Sequence, residues 1–214
     1  TLFRSDEIQE CPNARTAIKF LVEDGRFDYI ETGSLLGVRL KRVKSYPVGY
    51  EEIYNMYPMD FEEYITANGV HRETIDHLRR CYEDDLPVSP SVHDTMLKLF
   101  YSYIVVGGMP EAVSCYVNTH DIGQVIRRQR EITELYRLDI SQYAAGNDKI
   151  KITAIYDSIP SQLNDKNRRF ILTKVDKNGR QLRYENSFEW ISDAGVALPC
   201  YNVTEPQLPL SLNS

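Results

Sequence analysis

An α/β fold is predicted, with a parallel sheet at the start of the chain and helices after it. Three observations predict it. Short apolar runs at Leu2-Phe3 and Tyr29-Ile30 each stop abruptly in polar residues, the pattern of buried parallel strands that present chemistry at their carboxyl ends. Between them Ala14, Ala17, Ile18, Leu21 and Val22 recur at helical spacing, so strand, helix and strand follow in the order of a right-handed crossover. From residue 61 onward the apolar period is helical almost throughout.

The first run ends in Asp6-Glu7. Adjacent carboxylates at a strand end suit metal-assisted phosphoryl transfer, in which one holds a magnesium-bound water and the other polarises an attacking water. Two acids ahead of a helix are also favoured by the helix dipole without any chemistry. Ser34, after the second run, is in a position to sense a terminal phosphate. Arg4 and Ser5 interrupt the first strand, and an unpaired buried guanidinium is costly.

Residues 38–44 alternate apolar and basic side chains, a strand or a loop whose cations face phosphate or a neighbouring subunit. Tyr46-Pro47-Val48-Gly49 is a turn signal, and residues 52–58 then alternate like the last strand of the parallel sheet, stopped by Pro58. Asp60 caps a short helix over residues 61–68, closed by Gly69. A polar helix over residues 71–82 follows. Ser91 opens the next one, buried through Val92, Met96, Leu99, Phe100, Tyr103 and Ile104, and Gly107-Gly108 ends it. Met109-Pro110 starts a helix through Tyr116, with proline in its first turn, and the Gly-Gly-Met-Pro run reads as a helix-helix corner. Asp121 begins a long helix with Ile122, Val125, Ile126, Ile132, Leu135, Tyr136, Ile140 and Tyr143 in one stripe. Its other face, with Arg127, Arg128, Arg130 and Arg137, reads as solvated.

Residues 145–148 mark a boundary. Beyond it come an amphipathic helix over residues 150–159 closed by Pro160, an apolar clamp at Phe170-Ile171-Leu172, a helix through Leu182, Tyr184, Phe188, Trp190 and Ile191, and a strand-like run over residues 196–203. Helices followed by such a strand suit a winged helix that presents Arg180, Arg183 and Asn186 to DNA. Such modules also dock proteins.

The net charge of −6 argues against an overall cationic surface. Residues 149–190 nevertheless hold nine Lys/Arg against five Asp/Glu, a local excess of +4. The four cysteines are widely separated, and the four histidines show no ligand spacing. No apolar run approaches the ~20 residues that span a bilayer, and no basic-then-apolar leader is present, so a cytoplasmic location without membrane contact is expected.

Residues 3–37, with Asp6-Glu7-Ile8-Gln9-Glu10-Cys11-Pro12 and Thr32-Gly33-Ser34-Leu35-Leu36-Gly37, resemble the second half of the nucleotide-binding domain of bacterial and archaeal AAA-type P-loop ATPases that carry a nuclease-like C-terminal domain of unknown function. Tyr57-Pro58-Met59-Asp60-Phe61-Glu62-Glu63-Tyr64 and Gly107-Gly108-Met109-Pro110-Glu111-Ala112-Val113 match later motifs of that family in the same order. The resemblance implies ATP and magnesium as cofactors, Asp6 as the metal-side acid, Glu7 as the water-activating base, Ser34 as the sensor, and Gly108 and Pro110 near the nucleotide. It implies an α/β fold that starts with a partial parallel-sheet P-loop NTPase core over residues 1–60 and a helical lid over 61–146; the winged-helix domain read above then spans 147–204, with 205–214 leading into a further domain.

No Gly-x-x-x-x-Gly-Lys-Ser/Thr occurs in the 214 residues. The expectation is therefore an interior piece of an ATPase, hydrolysing ATP in its intact form, with at least one strand-helix unit upstream. The alternative is a non-catalytic winged-helix module that binds DNA or protein.

Overall fold

Pro12 in the first turn and Gly25 just past the last bound the helix that the Ala14 to Val22 spacing predicts. Proline fits the first helical turn because its missing N–H has no partner there, and Gly25 takes the left-handed conformation (φ +69°) that closes a helix. The computed structural model describes residues 1–33, 49–144, 146–166 and 169–201. It divides the chain into two units, Thr1–Tyr54 with Asp139–Ser214, and Asn55–Leu138.

In the first unit β1 (Leu2–Ser5) leads through a 3-10 turn (Ile8–Glu10) into α1 (Pro12–Asp24) and then β2 (Asp28–Glu31). The strands pair in parallel, Leu2 against Asp28 through Ser5 against Glu31. Ile8 and Ile18 are buried between sheet and helix. Phe3, Ser5, Tyr29 and Glu31, with Ile8, Ala14, Ile18 and Leu21, line a space of about 50 Å³ there. Phe3, Phe27 and Tyr29 form an aromatic trio with centroids 5.6 to 6.3 Å apart. Tyr50 joins α1 by donating its hydroxyl to Glu23 Oε1 at 2.8 Å, with Lys19 Nζ 5.4 Å from its ring centre.

The expectation that β1 is buried is corrected: Leu2 is 54% and Phe3 52% exposed. The described sheet has two strands, and one helix packs on it, whereas parallel strands become buried only when both faces and both edges are covered. Arg4 is exposed and so carries no desolvation cost.

The same unit holds a separate helical core. The end of α6 (Ile122–Tyr143), α7 (Gly146–Leu163), the short α8 (Leu172–Val175) and α9 (Gln181–Asp193) bury Ile140, Ile152, Ile155, Tyr184 and Ile191 together. Lys151 donates to the Arg183 carbonyl at 2.9 Å. The Ile171 N–H donates to Oε1 of the buried Gln162, so the expected apolar clamp is in part a polar one. Phe170 meets Phe188 edge to face at 5.2 Å. Leu182, on the opposite side of α9, is 84% exposed.

Two further expectations change here. Pro160 sits inside α7 rather than ending it. Close to the carboxyl end, proline costs the helix one backbone bond, and the Ser158 and Ser161 hydroxyls serve the carbonyls of Ile155 and Ser158 at 2.7 and 2.8 Å. The strand expected over residues 196–203 does not form over 196–201, its described part; Val196 and Ala197 pack on the helical core instead.

In the second unit α2 (Phe61–Ala67) starts on a capping box. The Asp60 carboxylate accepts the Glu63 N–H at 2.8 Å, and the Glu63 carboxylate accepts the Asp60 N–H at 2.9 Å. α3 (Arg72–Glu83), α4 (Pro90–Val106), α5 (Pro110–Thr119) and the first part of α6 follow. Tyr64, Ile65, Ile75, Val106, Ala112, Val113 and Val125 form the core. The Gln129 side chain donates to the Val105 and Val106 carbonyls at 2.9 Å each and seals the end of α4.

Residues 52–58, expected as a strand, have no regular structure, and Met56 is 93% exposed. Alternation states a preference that a strand realises only against a partner, and none lies beside this run among the described residues.

The corner between α4 and α5 is fixed by Met59. Its N–H donates to the Gly108 carbonyl at 2.7 Å, and its carbonyl accepts the Tyr103 hydroxyl at 2.9 Å. A Cβ on Gly108 would stand 2.1 Å from the Met59 oxygen, whereas one on Gly107 (φ +75°) would meet nothing within 4 Å. Gly108→Ala is therefore expected to destabilise the chain by about 2 kcal/mol or more, by overpacking against backbone. Gly107→Ala should cost about 1 to 3 kcal/mol, because its backbone (φ 75°, ψ −176°) lies in a region that essentially only glycine occupies. Thermal unfolding of the two variants checks both losses.

Candidate active site at the end of the two-stranded sheet

Beyond Ser5 the chain leaves β1 and turns. Glu7 takes left-handed backbone angles (φ 50°, ψ 44°), uncommon for a residue with a side chain. Hydrogen bonds hold the turn: the Glu7 N–H donates to Asp6 Oδ1 at 3.1 Å, and the Glu10 N–H donates to the Glu7 carbonyl at 2.9 Å. Backbone held in a sparsely populated region at a strand end is a feature of functional sites.

Thr32, just past β2, meets this turn with three groups. Its N–H donates to the Ser5 carbonyl at 2.9 Å, its carbonyl accepts the Ile8 N–H at 3.2 Å, and its hydroxyl donates to Asp6 Oδ1 at 2.5 Å. The Thr32 hydroxyl first, then the Glu7 N–H and more weakly the Arg4 charge, hold the Asp6 carboxyl below its ordinary range, against a small opposing effect of burial. Asp6 is thus an ionised carboxylate with two donors converging on one oxygen.

Sequence reasoning missed two residues here. Thr32 carries no local signal, because a cross-strand hydrogen bond leaves no trace in the sequence around it. Asp139, near the end of α6, has its carboxyl raised chiefly by burial and further by the negative charge of Glu7. A remote acid that feels Glu7 carries no local signal either.

Ser34 and the basic run over residues 38–44 lie outside the described residues. Gly108 and Pro110 lie at the start of α5 in the second unit, where the Met59 contact accounts for the glycine. Arg180 and Arg183 are both exposed, at the N-cap and first turn of α9.

The donor set at Asp6 suits magnesium. That ion prefers hard oxygen ligands, keeps several waters, and in nucleotide sites takes one or two carboxylates together with substrate phosphates. Among the described residues no group of three or more His, Cys, Asp or Glu is placed to hold a metal ion.

Residues 2–65 match the family model of an AAA domain, so this part of the chain is similar to AAA-type ATPase domains. Residues 97–213, more than half of the chain, match a domain of unknown function (DUF8612), and the chain belongs to that family. The second match starts within α4 and runs unbroken past α9, and its description names no nuclease. Neither a curated protein nor a solved structure matches the chain. No described helix is long and apolar enough to cross a membrane.

The raised Asp139 carboxyl has a consequence for stability. Below the ordinary value of 3.8 it is protonated folded and unfolded alike and has no effect. As pH rises from there through the folded value, the native state holds the proton longer than the unfolded one, so stability falls and stays lower above that window. Asp139→Asn should therefore raise the thermal midpoint at neutral pH and leave it unchanged below 3.8, measured by thermal melts across pH.

Proposed function

We propose that Asp6 and Glu7 are the metal-side acid and the water-activating base of an AAA-type protein that binds and hydrolyses ATP. The observation that carries this reading is the ionised Asp6, pinned at the carboxyl end of a parallel strand beside Glu7, within the residues that match an AAA domain. In open parallel sheets ligands sit outside these strand ends.

The roles follow from the chemistry of each group. Asp6 would hold magnesium, directly or through a bound water, and the ion when bound supplies positive charge to the phosphate oxygens. Glu7 would accept a proton from the water whose oxygen attacks the terminal phosphorus, while the bond from that phosphorus to its bridging oxygen breaks and the electron pair leaves with the nucleoside diphosphate. Ser34 remains the proposed phosphate sensor on the adjacent segment. The Gly-rich loop that cradles phosphates does not occur in these 214 residues, so on this reading the chain supplies the acids and the phosphate cradle comes from elsewhere in the intact protein.

For the helical part, a lid over residues 61–146 is the proposed role of the α2 to α6 region, by its place after the nucleotide core. Binding of DNA or protein through residues 147–204 has the two exposed arginines of α9 in its favour, but no wing strand over residues 196–201. The acid pair is the better supported site.

The test is ATP turnover and ATP binding by the full-length gene product with and without Glu7→Gln. Loss of the general base should lower turnover by about 100-fold or more while nucleotide binding persists. Turnover unchanged by the substitution removes Glu7 from the mechanism.

A further inference from the structure

We propose that Thr32 is the positioning residue for Asp6: its hydroxyl fixes the Asp6 carboxylate in one orientation and so sets the affinity of that carboxylate for a divalent cation. The cation half of this statement rests on the reading of Asp6 given above; the positioning half does not.

The argument is geometric. Asp6 lies one residue beyond β1, a strand of four residues with a single partner, and it is exposed. An exposed carboxylate just past a strand end, left to itself, samples several rotamers, and the loss of that freedom on binding weakens its hold on an ion. The hydroxyl of Thr32 removes the freedom in advance. It reaches Asp6 Oδ1 at 2.5 Å, and the Glu7 N–H reaches the same oxygen at 3.1 Å. Two donors fill the two lone pairs of Oδ1, which leaves Oδ2 to face a ligand. Thr32 is itself held, because its N–H and carbonyl bond the Ser5 carbonyl and the Ile8 N–H on either side of the acid. The clamp therefore ties Asp6 to the second strand through a residue whose own backbone cannot drift. Partners of this kind, which orient a ligand rather than touch the metal, change affinity by about ten-fold or more when lost.

Two substitutions separate the hydroxyl from the fold. Thr32→Val keeps the shape, the strand preference and both backbone bonds but removes the donor; Thr32→Ser keeps the donor. Two measurements on the 214-residue chain distinguish the halves of the proposal. In metal-free protein, side-chain scalar couplings should report one χ1 rotamer for Asp6 in the parent and in Thr32→Ser, and an average over rotamers in Thr32→Val. Titration with Mn²⁺, read by electron paramagnetic resonance, should show affinity about ten-fold weaker for Thr32→Val and close to the parent for Thr32→Ser. An Asp6 rotamer unchanged in Thr32→Val overturns the proposal. So does averaging to the same degree in Thr32→Ser, or Mn²⁺ affinity equal in parent and Thr32→Val. A parent that binds no Mn²⁺ but shows the rotamer effect upholds the positioning by Thr32 and instead overturns the reading of Asp6 as a metal-side acid.

Discussion

The parallel pairing of β1 with β2 is the constraint on which the candidate site depends. It brings together residues 26 apart in sequence, Asp6 and Thr32. Two four-residue strands are too little to hold such a register unaided. Ile8 and Ile18 add a small apolar seal against α1, and the Asp28 and Thr32 amides close the two ends of the pairing on the Thr1 and Ser5 carbonyls. The acids sit at the end of this ladder, so whatever loosens the register also disperses the site. Leu2 and Ile30, on the sheet face opposite Phe3 and Tyr29, are exposed.

A different constraint organises the second unit. The Tyr57-Pro58-Met59-Asp60-Phe61 and Gly107-Gly108-Met109-Pro110 motifs lie nearly 50 residues apart in sequence, yet they form one contact, in which Met59 uses both its backbone groups on Tyr103 and Gly108. The contact fixes the chain entering α2 against the corner between α4 and α5. Glycine at 108 is required by the approach of the Met59 oxygen. The glycine corner thus has a packing explanation, and function is proposed at the acid pair instead.

Much of the fold was legible because helices are local. The Ala14 to Val22 spacing, the Asp60 cap, the Gly107 terminus and the Asp121 start all appear where periodicity and capping chemistry put them. What could not be read depends on remote partners. Residues 52–58 and 196–201 read like strands but have no strand partner among the described residues, since a local pattern cannot supply the neighbour. Pro160 reads as a stop, but near a helix end it costs one bond and the helix absorbs it. At the site, Asp6 and Glu7 were visible as adjacent acids, whereas Thr32 and Asp139 were not, because a cross-strand hydrogen bond and a remote charge leave no local pattern.

The most direct test of the account is amide hydrogen exchange on the intact chain, resolved to single residues across residues 1–33. If β1 and β2 pair as described, the Thr32 amide, bonded to the Ser5 carbonyl, and the Ile8 amide, bonded to the Thr32 carbonyl, exchange markedly more slowly than the neighbouring Gly33 amide. Exchange of Thr32 and Ile8 at the rate of an open chain, while the α2 to α5 core stays protected, would contradict it.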